Sequence, residues 1–369
     1  MSKFLFLDDK IINILRLTDQ PSGGAAVQTY GWVKGLSEIN QDVVVLTNLK
    51  TNETLKEECK NIKLIPLYNK NKGMRWLRWV YYRLPYLYSE IKKTRPDYLY
   101  QSVPGWQSFL IGIICRVLHV KYLLRISNDF MVDKRVYRKS SRIHNFFMNL
   151  GFRLTHSILC QNEYQYSIIK KRFPNKKVIK ITNPIVLKSN SCNSIKNCNG
   201  YIAWIGLFQY QKNLKLLYEI ALKFKNEKFR IAGTAEPSCD KETISYIDKL
   251  KQLPNVRFVG FLKRGEVLQF LFDAKFLLNT SHYEGFSNTF LEAMIAQTPI
   301  LTSINVNPDS IISTYKLGLI YRSCEDLYKQ YQEVTPESYL QMTKNVMSYV
   351  FEHHDHKHLS KRLLYSLAN

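Results

Sequence analysis

The chain has 369 residues, of which 45% are apolar and 13% aromatic, and its formal net charge at pH 7 is +23. This composition argues against a disordered or fibrous protein, and the length favours two domains of roughly 150 to 200 residues over a single core. The seven cysteines form no C-x-x-C pair and are spread along the chain, which argues against a disulfide framework and against a zinc site.

Two apolar segments have to be distinguished from a signal peptide and from a membrane-spanning helix. The apolar run near Met1 has only four residues, which is too short for a signal peptide. Residues 108–127 are interrupted by Arg116, His119 and Lys121, so they lack the roughly 20 apolar residues of a membrane-spanning helix. We therefore expect a cytosolic protein without transmembrane segments.

Strand-like and helical patterns alternate through the first half of the chain. A helix is predicted over 25–39, and strands are predicted over 4–7 (with 12–17 as the alternative), 42–47, 97–101, 121–126, 157–161 and 178–181. Helices fill most of the gaps. This order is typical of a doubly wound α/β domain, which we assign to residues 1–186.

A polar stretch over 187–199 predicts a linker, after which the alternation restarts. The predicted strands cover 201–206, 229–233, 256–260 and 275–281, and the predicted helices cover 214–224, 244–250, 289–296 and the residues from 341 onward. These patterns indicate a second Rossmann-like domain over 200–350. Residues 351–369 are predicted to form a C-terminal helix that could cross back to the first domain.

The positive charge is concentrated in residues 1–190, which carry a net +19 against +4 for residues 191–369. Segment 69–95 interleaves eight basic residues with six Trp and Tyr residues, and segment 134–153 has six basic residues and no acidic one. Such segments contact nucleic acid or an anionic membrane, or are simply solvated surface. Because no nucleic-acid-binding motif is found, we expect 69–95 to contact an anionic membrane.

The segment YEGFSNTFLEAM, residues 283–294, combines a helix start with two carboxylates. Ser287 or Asn288 is a suitable N-cap, and the N–H groups of a first helical turn bind anions. We expect Glu284 in the preceding loop and Glu292 in the second turn, while Gly285 allows close approach of a ligand. Carboxylates beside an anion site accept hydrogen bonds from hydroxyls, which matches a sugar nucleotide.

Two further loops are weaker indications of the same ligand. Lys212 follows the predicted strand 201–206 through a loop and could supply a cation to a diphosphate. Gly23 and Gly24 precede a helix, where their amides could also reach phosphate. Each feature alone is more often an ordinary turn or a solvated side chain.

Together these segments resemble a known family. YEGFSNTFLEAMIAQTPILTS resembles the E-x7-E segment of the retaining glycosyltransferases of the GT-B fold, family 4. GGAAVQTYGWVKGLSEINQDVVVLT resembles the N-terminal glycine loop, helix and second strand of that family, and IGLFQYQKN resembles its G-R-x5-K loop. The resemblance implies two doubly wound Rossmann-like domains that face each other across a cleft.

Carried over by position, the resemblance implies that Glu284 holds hydroxyls of the donor sugar and that Glu292 holds the ribose. The other implied donor-binding residues are Gly23, Gly24, Gly206, Lys212, Gly285, Phe286, Ser287 and Asn288. Asn128 and Asp129 lie where the family commonly has a His-Asp pair, so with Glu284 and Lys212 they are the candidate catalytic residues. No metal and no other cofactor is implied.

Two departures from the family pattern affect the site. Leu207 stands where the family has an arginine after Gly206, and Arg16 or Arg264 are possible substitutes for the missing charge. The usual Gly-Gly pair after the strand PILTS is replaced by INVNPDS. In HHDHKH, His354 and His358 have the i, i+4 spacing of a metal site but no third partner at a defined spacing. We interpret this cluster as a solvated helix start.

The expected function is retaining transfer of a hexose-type sugar from a UDP- or GDP-sugar to a lipid-linked or oligosaccharide acceptor, in cell-surface polysaccharide synthesis. The enzyme would lie peripherally on the cytoplasmic face of the inner membrane, and nucleic acid is not an expected partner. Two alternatives remain open at this point. One is a sugar-nucleotide epimerase or phosphorylase of the same fold, and the other is a basic nucleic-acid-binding protein.

Overall fold

The computed structural model describes residues 1–17, 23–48, 54–69, 71–74, 77–136, 140–187, 196, 199–235 and 239–369. The chain forms two compact units, the first of Met1–Val186 with Asp355–Asn369 and the second of Leu187–His354. Each unit contains a parallel sheet flanked by helices. The predicted α/β architecture with two doubly wound sheets is therefore confirmed.

Within the described ranges, the first unit has a seven-stranded parallel sheet in the order β3-β2-β1-β4-β5-β6-β7. The strands are β1 (Lys3–Leu7), β2 (Asp42–Thr47), β3 (Lys63–Pro66), β4 (Tyr98–Gln101), β5 (Lys121–Arg125), β6 (Ser157–Cys160) and β7 (Lys177–Lys180). Side chains alternate between the two faces, so Phe4 and Phe6 join one core cluster and Leu5 the other. Both faces are thus covered, as a parallel sheet requires.

Helices connect these strands and cover the two faces of the sheet. They are α1 (Ile12–Leu15), α2 (Gly24–Glu38), α3 (Leu84–Thr94), α4 (Gln107–Val117), α5 (Arg142–Leu154) and α6 (Glu163–Arg172). A single π-helical turn, Trp79–Arg83, leads into α3.

The second unit repeats the arrangement with six described strands in the order β10-β9-β8-β11-β12-β13. The strands are β8 (Tyr201–Ile205), β9 (Phe229–Ala232), β10 (Val256–Gly260), β11 (Ala274–Asn279), β12 (Ile300–Ser303) and β13 (Gly318–Tyr321). The helices are α7 (Leu214–Lys223), α8 (Lys241–Lys251), α9 (Arg264–Phe272), α10 (Asn288–Ile295), α11 (Ile311–Thr314), α12 (Cys324–Gln332) and α13 (Pro336–His354). Strand order reverses between β8 and β11, which is where doubly wound sheets bind ligands.

The predicted strands begin and end within two residues of the observed ones, but β3 and β13 were not predicted. Both are four-residue strands at sheet edges, where partial exposure weakens the apolar pattern. The alternative strand over 12–17 is wrong, because Ile12–Leu15 form α1. The predicted linker over 187–199 lies mostly outside the described residues.

The last helix, α14 (His356–Ala368), packs against α2 within the first unit. The His356 ring nitrogen Nε2 lies 3.0 Å from Glu38 Oε2, and Lys357 Nζ lies 3.1 Å from the same oxygen. Asp355 is non-helical and separates α13 from α14. The prediction that His354 and His358 share one helix is therefore wrong, and His354 and His356 are buried rather than solvated.

Among the described helices, none is long and apolar enough to cross a membrane. The described cysteines, Cys59, Cys115, Cys160, Cys239 and Cys324, are all free thiols. Cys192 and Cys198 lie outside the described residues.

The contact between α2 and α14 gives a test of the fold. A Cβ at Gly35 would lie 2.3 Å from His356 O and 2.4 Å from Ser360 Oγ, so Gly35→Ala should displace α14. We expect a loss of about 1–3 kcal/mol in the free energy of unfolding, although alanine is the better helix former.

Urea unfolding measures this loss, and Gly105→Ala is the control because a Cβ at Gly105 meets no atom within 4 Å. Equal stability of the two variants would contradict the observed packing of α14 on α2.

Candidate active site

Two loops meet at the carboxyl edge of the second sheet. Residues 206–213 follow β8 and residues 280–287 follow β11, and these strands pair in parallel at the point where strand order reverses. Parallel neighbours end at the same edge, so residues far apart in sequence come together there.

Lys212 and Glu284 form an ion pair across these loops. Lys212 Nζ lies 2.6 Å from Glu284 Oε1, and the two side chains are only 16% and 11% exposed. The hydroxyl of Ser281 donates a hydrogen bond of 2.9 Å to the same carboxylate oxygen. The structure thus brings together two of the candidate catalytic residues and orients the carboxylate through a third group.

A buried hydrogen-bond chain holds the lysine loop in place. Trp204 Nε1 donates to Thr280 Oγ1 at 3.0 Å, and the Thr280 hydroxyl donates to the backbone carbonyl of Lys212 at 2.8 Å. Gln211 Nε2 donates to the carbonyl of Tyr283 at 2.9 Å, which ties the two loops together a second time. These supporting residues were not predicted, because only the pairing of β8 with β11 makes them neighbours.

Gly206 provides space for the lysine side chain. A Cβ at this position would lie 3.0 Å from the Trp204 ring and 3.4 Å from the Cδ and Cε atoms of Lys212. A Cβ would therefore press on the Trp204 ring, and a larger side chain would compete with the lysine stem for this space. Leu207, which stands where an arginine was expected, is half-buried and brings no charge to this loop.

The start of α10 differs in one respect from the sequence prediction. The helix begins at Asn288 with Ser287 at the N-cap position, but the Ser287 side chain caps no backbone N–H. Its hydroxyl instead lies 2.7 Å from Thr289 Oγ1. Gly285 and Phe286 are buried, and the Phe286 ring lies 5.0 Å from the ring of His354, which anchors this loop.

Glu284 lies in the loop and Glu292 in the second turn of α10, both as predicted. Burial raises the pKa of Glu292, and the nearby positive charge of Arg264 opposes that rise. None of the side-chain hydrogen bonds found among the described residues reaches the Glu292 carboxylate, which keeps partial exposure. A ligand hydroxyl can therefore bind this carboxylate.

The remaining predicted site residues lie in the first unit. Gly23 is the N-cap of α2 and Gly24 its first residue, and a Cβ at Gly23 would meet no atom within 4 Å. Residues 18–22, which precede this helix, lie outside the described residues. Arg16, one suggested substitute for the missing arginine, also lies in this unit.

Asn128 and Asp129 both have local partners. The Asn128 side chain accepts a hydrogen bond of 3.2 Å from the N–H of Phe130 and caps a short 3-10 turn. Asp129 Oδ1 accepts hydrogen bonds from Asn162 Nδ2 at 3.0 Å and from Gln165 Nε2 at 2.8 Å. Burial raises the pKa of Asp129, and these amide donors oppose that rise. Their proposed catalytic role stays a prediction.

Rings of the basic aromatic segment 69–95 pack within the first unit. Trp79 and Tyr68 form an edge contact at 5.8 Å, and the buried Arg83 guanidinium lies over both rings. The hydroxyls of Tyr82 and Tyr86 bond to backbone atoms of residues 69 and 66. Trp76 lies outside the described residues. The packing accounts for Trp79, Tyr82 and Tyr86 without a membrane, whereas Tyr81 is 53% exposed. The membrane contact of 69–95 stays a prediction.

In the described part of the chain, no three His, Cys, Asp or Glu side chains lie close enough together to hold a metal ion.

Comparisons with known proteins place this geometry in a family context. The model of the family "Glycosyl transferases group 1" matches residues 193–346, which contain every predicted site residue of the second unit. No curated protein sequence matches the chain significantly.

Solved structures match over nearly the full length. The structure of Anabaena Alr3699/HepE in complex with UDP and glucose is 13% identical in sequence. It aligns over 100% of each chain with a TM-score of 0.74. The structure of a variant of S. aureus TarM in complex with fondaparinux, alpha-GlcNAc-glycerol and UDP is 12% identical in sequence. It aligns over 100% of each chain with a TM-score of 0.75. Sucrose-phosphate synthase from Thermosynechococcus elongatus shares 13% identity, 99% of this chain, 98% of that chain and a TM-score of 0.72. The predicted GT-B fold is confirmed.

The raised pKa of Glu292 predicts how stability depends on pH. The unfolded chain releases this proton near the ordinary glutamate pKa of about 4.3, whereas the folded protein holds it to higher pH. The ionised carboxylate therefore opposes folding at neutral pH. Glu292→Gln should raise the Tm at pH 7.5, and the difference from wild type should vanish as the pH falls below about 4.

Thermal unfolding from pH 3 to pH 8 measures this difference, and Glu219→Gln, on the exposed side of α7, is the control. A Glu292→Gln variant less stable than wild type at pH 7.5 would contradict the burial argument.

Proposed function

We propose that this protein is a glycosyltransferase that moves a sugar from a nucleoside-diphosphate donor to a hydroxyl of an acceptor. The observation that carries the proposal is the Lys212–Glu284 ion pair, which is nearly buried beside the start of α10. The pair lies inside the region matched by the group 1 glycosyltransferase family. A site that pairs a cation with a hydroxyl acceptor suits a ligand that carries both phosphate and sugar.

In this proposal Lys212 and Glu284 contact different parts of the bound donor. Glu284 accepts hydrogen bonds from hydroxyls of the donor sugar, and Lys212 turns its charge toward the diphosphate. The bond that breaks joins the sugar to the diphosphate, so negative charge develops on the departing oxygen. Lys212 and the start of α10 are placed to stabilise that charge, which is the usual source of rate enhancement in group transfer.

Glu292 and Arg264 form the other end of the proposed donor site. Glu292 holds the ribose hydroxyls. Its carboxylate is partly exposed, and it interacts with the charge of Arg264 but accepts no side-chain hydrogen bond among the described residues. Arg264, at the start of α9, supplies the positive charge that Leu207 does not. The charge of Arg264, one of the two arginines suggested by the sequence, acts on the predicted site residue Glu292.

The finer features of the reaction belong to the same proposal. The donor is a UDP-sugar in preference to a GDP-sugar, because the similar HepE and TarM structures contain UDP. The transferred group is a hexose, its anomeric configuration is retained, and no metal ion is required because Lys212 supplies the cation. Gly23, Gly24, Asn128 and Asp129 contribute from the first unit.

The acceptor is a lipid-linked or oligosaccharide glycan of a cell-surface polysaccharide, met at the cytoplasmic face of the inner membrane.

Replacing Glu284 tests the central residue. Glu284→Ala removes the hydroxyl acceptor and leaves Lys212 without its partner, so kcat/KM for release of UDP from a UDP-sugar should fall at least ~100-fold. Glu227→Ala is the matched control, because Glu227 forms a similarly placed, largely buried ion pair with Lys275 in the same unit.

Both variants should lose comparable stability, but only Glu284→Ala should lose activity. Turnover by Glu284→Ala at the wild-type rate would overturn the assignment. Conversion of the sugar without release of free nucleoside diphosphate would indicate an epimerase instead.

Nucleotide binding tests the donor class separately. Binding stabilises a folded protein according to its affinity, so UDP should raise the Tm more than GDP or ADP at equal concentration. The shift should shrink in Glu292→Ala. Equal shifts from all three nucleotides would contradict recognition of the base, and no shift from any of them would contradict the proposed function.

A further inference from the structure

A second feature of the first unit lies at the outer faces of α4 and α5. The two helices pack closely through glycines, since a Cβ at Gly112 would lie 2.6 Å from Leu154 and one at Gly151 would lie 2.7 Å from Ser108. Their outer faces are continuous, because the rings of Phe109 and Phe147 are in contact at 5.3 Å.

Large apolar side chains on this face are exposed to solvent. Ile113 is 41% exposed, Val117 59%, Phe146 59% and Ile143 71%. Phe146 also contacts the Phe147 ring at 5.5 Å, which links the exposed ring to the helix contact. Exposed apolar side chains on two packed helices mark an interaction surface.

A cavity of about 320 Å³ opens where α4, α5 and their flanking strands meet. Its basic lining residues are Arg116, His119, Lys121, Arg153, His156 and Lys176. No Asp or Glu lines it, and none of these side chains forms an ion pair with a carboxylate among the described residues. The sequence agrees, because residues 98–128 and 134–162 contain no Asp or Glu at all.

The favourable position of a cation at a helix C-terminus explains only some of these basic residues. Arg116 and Arg153 lie in the last turns of α4 and α5, where a cation is favoured. Lys176 Nζ donates a hydrogen bond of 2.8 Å to the backbone carbonyl of Thr155, which ends α5, so the same preference holds it there. His119, Lys121 and His156 follow the two helix ends without a carboxylate partner among the described residues. Burial lowers the pKa of His156, and repulsion from Lys121, Lys177 and Lys176 lowers it further, so these groups lie close enough to interact. An anion in the cavity would relieve that repulsion.

We propose that the α4–α5 face binds an anionic phospholipid bilayer, with a lipid phosphate in the basic cavity and Ile113, Val117, Ile143 and Phe146 among the acyl chains. The apolar face is what makes a lipid the source of the phosphate, because a free anion has nothing to bury there. Basic side chains beside exposed apolar ones are the combination that holds a protein at a membrane interface.

This surface differs from the one predicted by sequence. Segment 69–95 also exposes Met74, Val80 and Tyr81, but it uses Trp79, Tyr82 and Tyr86 in packing contacts. None of its residues lines the basic cavity at the ends of α4 and α5. The proposal does not depend on the donor chemistry of the second unit.

Sedimentation of the full chain with vesicles tests the proposal. Wild type should bind phosphatidylglycerol vesicles and leave phosphatidylcholine vesicles unbound. Arg116→Glu with Arg153→Glu should weaken binding to the anionic vesicles at least about tenfold, and so should Ile113→Glu with Phe146→Glu. All four positions are exposed, so the variants should keep the fold and the wild-type release of UDP. The arginine pair should lower the Tm slightly, because the last turn of a helix favours a cation.

Two matched controls separate the local surface from net charge. Arg257→Glu with Arg362→Glu makes the same charge reversal at exposed arginines elsewhere. Leu222→Glu with Ile244→Glu replaces apolar residues that are 45% and 46% exposed in the second unit. Both controls should bind vesicles as wild type does, and binding weakened equally by controls and test variants would overturn the proposal.

Two further probes identify the source of the anion. Inorganic phosphate that raises the Tm of wild type but not of Arg116→Glu with Arg153→Glu, without any vesicle binding, would show a free-anion site and overturn the membrane assignment. Binding of single-stranded oligonucleotides that is lost in the same variant, again without vesicle binding, would overturn it in favour of nucleic acid.

Discussion

The candidate site depends on the parallel pairing of β8 with β11. These strands are separated along the chain by β9 and β10, yet they are neighbours where the strand order reverses. Their carboxyl ends therefore place Lys212 beside Glu284, which lies 72 positions further along the chain. Two charges that are each less than one-fifth exposed are tolerated there because each compensates the other and Ser281 satisfies the carboxylate.

The supporting residues show how that arrangement is kept. Gly206 leaves room for the lysine stem, and the chain from Trp204 through Thr280 fixes the lysine backbone. On the other loop, Phe286 is anchored against His354 at the end of α13. A histidine that looked like part of a metal cluster in sequence thus has a packing role next to the site.

The two units handle charge in different ways. The second unit contains two nearly buried ion pairs, Lys212–Glu284 and Lys275–Glu227. In the first unit, six basic side chains line the cavity at the ends of α4 and α5, and none of them forms an ion pair with a carboxylate among the described residues. Net charge alone could not separate these cases, because it counts a paired and an unpaired lysine equally.

The order of strands and helices, the parallel class of the sheets and the positions of Glu284 and Glu292 on either side of a helix start follow from the sequence, since apolar periodicity and helix-start residues are local signals. The edge strands β3 and β13 were missed because a short, half-exposed strand carries little pattern. Only the tertiary structure decided that Lys212 pairs with Glu284, that the charge of Arg264 acts on Glu292, and that Trp79, Tyr82 and Tyr86 take part in packing contacts. Each of these depends on contacts between distant segments, and strand order across a sheet, not local pattern, determines which segments meet.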